Sequence, residues 1–327
     1  MCLYPRLIKN PKYRSNKKNK GNVPYMNDIR VGLVPIKCGY CFECMNQVSN
    51  SWKVRLFEEI KKHEDYKFIT LTFSNEWYTK LTKAVTEKGK ASEGYGLDNA
   101  IATQAVRWFL ERWRKKYKKS LRHWLITELG HKGTEHLHLH GIVKTNKLTE
   151  VERIWKYGYV WKGKRVNGKL VNYVNSKTIN YMAKYVTKTD ILHKYYKPKI
   201  LCSAGIGANY IGTHNAKLNK FKGRETKTTY TTREGLEYNL PIYWRNKIYS
   251  EDERELLWLY KLDENIRYVG GEKISADNER GYWKLVEYYR KMNSEMGYGA
   301  PDNWKAKEYE HQRRILKQRM RILKEYI

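Results

Sequence analysis

The sequence predicts an α+β fold. Runs rich in β-branched and aromatic residues at 66–73, 123–128 and 136–143 read as strands. Between them, stretches at 49–62, 101–117 and 177–188 carry apolar residues at helical spacing. The two kinds alternate irregularly and are joined by long connections, which favours a mixed sheet over a doubly wound parallel one. No proline occurs from 36 to 197, which suits one continuous folded unit.

In chain order, residues 1–35 hold Pro5, Pro11, Pro24 and Pro35 and the basic run Lys17 to Lys20, and read as an extended arm. Ser49 to Lys62 places Trp52, Leu56 and Ile60 four apart, a helix. The segment 66–73 is a strand, and the Gly- and Lys-rich stretch 79–99 reads as a loop. Residues 101–117 align Ala102, Ala105, Val106, Phe109, Leu110, Trp113 and Tyr117 on one helical face. Arg107, Arg112, Arg114 and Lys115 crowd its polar side and are candidate phosphate contacts. Strands follow at 123–128 and 136–143, then a short helix at 149–157 and strand-like pieces around the Asn167-Gly168 turn. A helix covers 177–188. Beyond Pro198 glycines mark a loop, 220–235 is basic and Thr-rich, and 250–262, 277–293 and 303–327 look helical. This divides the chain into a basic N-terminal arm with a Cys cluster (1–48), a central domain (49–200) and a basic C-terminal region of loops then helices (201–327).

The 65 Lys and Arg against 34 Asp and Glu leave a net charge of +31, so the expected partner is a polyanion. A membrane is the weaker candidate: mean hydropathy is −0.82, and no segment approaches the roughly 18 apolar residues a span needs. The N-terminus lacks the apolar core of a secretory signal. Wholesale disorder is excluded, because 41% hydrophobic and 14% aromatic residues can build a core.

Three motifs carry chemistry. His136-Leu137-His138-Leu139-His140 puts three imidazoles on one face of a strand and two leucines on the other. Such a face suits a cation, with Glu128 at the end of the preceding strand as a further ligand; the plain reading is a polar strand face in water. Oxygen and imidazole donors suit Mg²⁺ or Mn²⁺, and imidazole would also take Zn²⁺. Along 177–188, Ile179, Met182, Ala183 and Val186 form an apolar stripe, while Tyr181, Lys184, Tyr185 and Lys188 line the opposite side. A phenol activated by a metal-bound phosphate or a neighbouring lysine is a candidate nucleophile, against a plain packing role. Cys38-x₂-Cys41-x₂-Cys44 could bind Zn²⁺ with Cys2 as the fourth ligand, or be buried reduced thiols; Cys202 stands alone.

His138-Leu139-His140 followed by Tyr-x-x-Lys-Tyr-x-x-Lys resembles the HUH endonucleases that initiate rolling-circle replication. It is most similar to the initiators of gokushovirus-like microviruses, small single-stranded DNA phages. Met1-Cys2-Leu3, the Cys38–Cys44 cluster leading to Trp52, the strand 68–73 and Leu240 to Lys247 extend the likeness. The resemblance implies a central antiparallel sheet flanked by helices, and a divalent metal held by His138, His140 and Glu128, with His136 lining the site without ligating. It also implies transesterification through Tyr181 and Tyr185, each with a lysine (Lys184, Lys188) three residues on. The products are a 5′-phosphotyrosine and a free 3′-OH. Single-stranded origin DNA and the host's helicase, polymerase and single-strand binding protein are the implied partners, in the bacterial cytoplasm. A non-catalytic single-strand binder or packaging protein, or a phosphodiesterase using water, are the competing readings.

Overall fold

The computed structural model describes residues 2–62, 65–89, 93–130, 135–188, 192–300 and 304–323. The chain begins with strands β1 (Arg6–Lys9) and β2 (Leu33–Ile36), then helix α1 (Phe42–Lys62). Next come β3 (Tyr66–Thr72), α2 (Asn75–Thr86), α3 (Gly94–Tyr117), β4 (His123–Leu129) and β5 (Leu137–Lys144). They are followed by α4 (Leu148–Trp155), β6 (Val160–Trp161), β7 (Lys164–Val166), β8 (Lys169–Val171), α5 (Ser176–Thr187) and β9 (Ile200–Cys202). The remainder comprises α6 (His214–Lys217), β10 (Thr229–Thr231), β11 (Glu237–Asn239), α7 (Ile242–Ile248) and α8 (Glu251–Asp263). It ends with β12 (Ile266–Val269), β13 (Glu272–Ser275), α9 (Glu279–Glu295) and α10 (Trp304–Leu323). The α+β expectation holds. The chain forms two units, 52–209 with 303–327, and 1–51 with 210–302.

The first unit is built on a five-stranded sheet in the order β6-β3-β5-β4-β9, every neighbour antiparallel. Strand alternation sorts its side chains into two layers. Ile69, Leu71, Leu125, Leu129, Leu137, Leu139 and Val143 join the core formed with α2, α3 and α4. Tyr66, Phe68, Trp124, Ile126 and Ile142 face the other way, against Leu56 of α1 and Ile179, Met182, Tyr185 and Val186 of α5. The loop expected over 79–99 is instead mostly helix. Ser74 caps α2 by accepting the Trp77 N–H, and Tyr78, Leu81 and Val85 bury one face. Within α3, Leu97 and Asp98 are already buried. The Gly and Lys content of this stretch masks its helical spacing.

The charged helix expected at 303–327 is described over 304–323, and its last four residues lie outside the described ones. It is not simply solvated. Arg314, 3% exposed, makes a two-pronged bond to the fully buried Asp98 of α3 at 2.7 and 2.9 Å.

In the second unit, the segment read as an extended arm pairs with itself as the β1–β2 hairpin. Lys12 reaches Asp252 and Glu255 at 3.1 and 3.0 Å, and Tyr13 donates to Glu255 at 2.7 Å, so α8 holds it. These partners lie some 240 residues away, beyond any local pattern. Two further hairpins, β10–β11 and β12–β13, complete the small sheets.

Candidate metal centre

Strand β5 sits between β3 and β4, so its exposed-side residues meet neighbours from both. Glu128 of β4 lies directly opposite His138, and Ile126 opposite His140; on the other side Thr70 of β3 faces His140. Antiparallel register thus brings three ligand side chains to one face from chain positions 128, 138 and 140. Glu128 Oε2 lies 2.9 Å from His138 Nε2 and 2.7 Å from His140 Nε2. The three groups offer ligand atoms that all lie within 4.8 Å of one another.

The outer nitrogens are fixed too. His138 Nδ1 is 2.9 Å from the His136 carbonyl oxygen, and His140 Nδ1 is 2.9 Å from Thr70 Oγ1. A carbonyl only accepts, so His138 carries its proton on Nδ1 and, when neutral, points a lone pair from Nε2 at Glu128. Two imidazole lone pairs and a carboxylate converging on one point form a donor set that fits a divalent cation. Burial pushes His140 towards the neutral form. Burial also works to raise the Glu128 carboxyl, but bonds from His138, His140 and Lys188 outweigh it and hold the group far below the usual carboxylate range. His136 contributes its backbone oxygen, and its imidazole is not among the converging groups.

Helix α5 lies over this cluster. Asn175 and Thr178 form a reciprocal capping box at its start, and its apolar stripe is buried as the spacing predicts. The Tyr185 ring stacks on His140 with centroids 4.2 Å apart and planes at 11°. Its hydroxyl hydrogen-bonds that of Tyr181, whose ring meets Tyr185 and Phe68 edge-on. The two phenols differ in access: Tyr181 is 49% exposed and Tyr185 8%. Burial, then the Tyr181 contact and the Glu128 charge, raise Tyr185 above the ordinary phenol range.

Lys188 is the residue just past the helix end, in extended conformation. Its ammonium donates to Glu128 Oε1 at 2.6 Å and stands 5.6 Å from the Tyr185 ring centre. Lys184 is exposed, and no described contact links it to Glu128 or the imidazoles. Glu128, Leu129, Tyr185, Lys188, His193, Tyr196 and Pro198 line a crevice beside the cluster.

The α3 cations lie elsewhere. Arg107, Arg114 and Lys115 are exposed on a helix that packs against the opposite face of the sheet. Arg112 is occupied by the Ile154 and Trp155 carbonyls and the Tyr157 hydroxyl. On the edge nearer the cluster, the β7–β8 hairpin is exposed throughout 164–171 and carries Lys164, Arg165 and Lys169. Asn172, just after it, bonds the Phe68 backbone at 2.8 and 2.6 Å. Sequence reasoning missed Thr70, Phe68 and this hairpin. Thr70 and Phe68 share a strand face in 66–73, but only the pairing register shows that the face is His140's.

Residues 66–190, from β3 past the end of α5, match a family model of replication-associated proteins, the ORF2 type. Over 254 residues the chain is 23% identical to the replication-associated protein ORF4 of Chlamydia phage 1, covering 67% of this chain and 55% of that protein. The chain therefore matches only about half the length of that relative. No solved structure matches. The two findings bear out the recognised similarity to phage rolling-circle replication initiators. No helix among the described residues is long and apolar enough to cross a membrane.

Proposed function

We propose that this chain nicks and rejoins single-stranded origin DNA to initiate and terminate rolling-circle replication of a phage genome. The observation that carries the reading is the convergence of His138, His140 and Glu128 directly beneath a stacked tyrosine pair. A plain packing role for either feature gives no reason for both to occupy one spot.

Glu128, His138 and His140 would hold a divalent cation, Mg²⁺ or Mn²⁺, which polarises the scissile phosphate. Thr70 and the His136 carbonyl keep the imidazoles turned towards that point. Tyr181, the accessible phenol, attacks phosphorus first: the new bond is Tyr181 Oη–P, and the bond broken is P–O3′. The phenol loses its proton and the departing 3′ oxygen gains one, leaving a 3′-OH primer and a 5′-phosphotyrosine. Lys188, between Glu128 and the Tyr185 ring, supplies positive charge where phenolate develops. Tyr185 first donates a hydrogen bond to Tyr181, then acts as nucleophile in the second cut while the Tyr181-held strand is rejoined. Lys184, exposed on the same helix, together with Lys164, Arg165 and Lys169, contacts the phosphate backbone. Arg107, Arg114 and Lys115, across the sheet, add only to general attraction for DNA. Host helicase, polymerase and single-strand binding protein in the bacterial cytoplasm would extend the primer.

The test is incubation with circular single-stranded phage DNA and Mg²⁺ or Mn²⁺, followed by denaturing electrophoresis for a covalent adduct. The adduct should form with the parent and be absent from Tyr181→Phe/Tyr185→Phe. Tyr181→Phe should lose more nicking than Tyr185→Phe, and neither should yield closed unit-length circles. His138→Ala/His140→Ala, and Glu128→Ala, should bind DNA but not cut it. Cutting without any adduct would assign the attack to water, and an adduct in the double Tyr variant would place the nucleophile elsewhere.

A further inference from the structure

The second unit holds another convergence, of sulfur alone. Cys2 lies before β1, while Cys38, Cys41 and Cys44 span the loop into α1 and that helix's first turn. Their four Sγ atoms all lie within 4.8 Å of one another, and Cys38 and Cys44 are 3.9 Å apart. We infer that Cys2, Cys38, Cys41 and Cys44 hold one structural Zn²⁺ as a tetrathiolate, independently of the reading given to the His–Glu cluster.

Geometry comes first. Four sulfurs at the usual Zn–S distance of about 2.3 Å from a central ion stand about 3.8 Å apart at tetrahedral corners, close to the spacing found. No disulfide competes, since all five cysteines are free. The surrounding amides make the second argument. Cys2 Sγ accepts the N–H groups of Tyr4 and Cys38 at 3.4 and 3.3 Å; Cys38 Sγ accepts those of Tyr40 and Cys41, both at 3.4 Å. Gly39, at φ +80°, makes the turn that aims the last two. A thiol is a weak acceptor, whereas a thiolate bound to metal is a strong one. Third, the donors are all soft and mostly buried: Cys41 is 0%, Cys44 2% and Cys2 8% exposed. An all-sulfur tetrahedral set excludes Mg²⁺ and Ca²⁺ and selects zinc, with iron as the one common competitor.

The position explains what the ion does. Leu3 and Phe42, beside the ligands, pack with Val269, Tyr282 and Val286 in one buried cluster. Arg290 of α9 donates twice to the Leu3 carbonyl, at 3.0 and 2.9 Å, and Asn293 accepts the Phe42 N–H at 2.9 Å. The tetrathiolate thus clamps the chain's first residues and the start of α1 where α9 and the β12–β13 hairpin meet. Its role is structural, with no open position for substrate.

The full chain, purified without chelator, is tested by elemental analysis together with its Glu128→Ala/His138→Ala/His140→Ala variant, which removes the other cluster. Both should carry one zinc per chain, and Cys202→Ser should keep it. Titration with an organomercurial should release that zinc as four thiols are blocked. Cobalt exchanged into the folded parent should give the visible bands of tetrahedral thiolate coordination, a readout that needs no cysteine variant to fold. Four thiols titrating freely with no zinc, zinc lost from the triple variant, or iron with its visible absorption would each overturn the assignment.

Discussion

Glu59 in the last turns of α1 accepts four hydrogen bonds. Arg122 grips both of its oxygens at 2.5 and 2.8 Å, the Tyr66 hydroxyl donates at 2.7 Å and the Gly207 N–H at 2.8 Å. At 2% exposure, burial alone would raise its carboxyl. The Arg122, Gly207 and Tyr66 donors overcome that and hold the pKa at about 2, against an ordinary 4.5. The difference of roughly 2.5 units, at 1.36 kcal/mol each, gives about 3 kcal/mol of stability. Because the folded value lies below the unfolded one, this contribution is complete above about pH 5 and is lost as pH falls through about 2. Glu59→Gln keeps the shape but presents an amide N–H₂ to groups that are all donors. The variant should therefore be about 3 kcal/mol less stable near neutral pH and converge on the parent near pH 2. Urea unfolding followed by tryptophan fluorescence, stepped through that range, measures the gap. Parallel stability curves for the two proteins, with a constant offset down to the lowest pH, would refute the reasoning.

Three further outcomes follow from the same geometry. Thr70→Val removes the oxygen that orients His140 Nδ1, and calorimetric Mn²⁺ affinity should fall about 10- to 100-fold with the melting temperature nearly unchanged; unaltered affinity would show that Thr70 does not orient the ring. Gly141→Ala would set a Cβ 2.0 Å from the Trp124 carbonyl oxygen and 2.8 Å from Leu125 Cα, backbone that cannot give way. Overpacking of this kind costs roughly 1–3 kcal/mol, or several degrees of melting temperature by circular dichroism, and a normal melt would contradict the tight β4–β5 approach. Asp98→Ala leaves the buried Arg314 cation and the Tyr78 hydroxyl without their acceptor, a loss of about 3–5 kcal/mol that Asp98→Leu/Arg314→Met should largely recover in urea. No recovery in that double variant would mean packing, not unpaired charge, carries the loss.

The site was largely legible because its parts obey short-range periodicities. The two-residue repeat of His138 and His140 and the three-to-four-residue repeat along α5 are local facts, and each survives in the structure. That Glu128 would stand opposite His138 was only a strand-end expectation until pairing set the register. Lys184 and Lys188 looked equivalent by spacing. They diverge because α5 ends at Thr187, which frees the Lys188 backbone to turn its side chain onto Glu128. The α3 cations were read as one stripe, but Arg112 is drawn to carbonyls at the end of α4, a partnership 42 residues away that periodicity does not encode. The same is true of Lys12 with α8 and of Arg314 with Asp98: long-range charge pairs made helices and arms look more solvated than they are. The helix over 75–86 was the avoidable miss, since Ser74 before it is a standard start signal.

The chain leaves the first unit after Asn209 and rejoins it only with α10. In between it builds most of the second unit, so that unit is an insertion between β9 and the last helix. Closing such a detour grows only logarithmically with its length, by about 0.6 kcal/mol per doubling. Every ligand, phenol and lysine of the cluster precedes the detour. Relatives are thus free to lengthen, shorten or exchange the inserted segment at little energetic cost. What they must keep is a return path that lets an arginine on the closing helix find its buried aspartate.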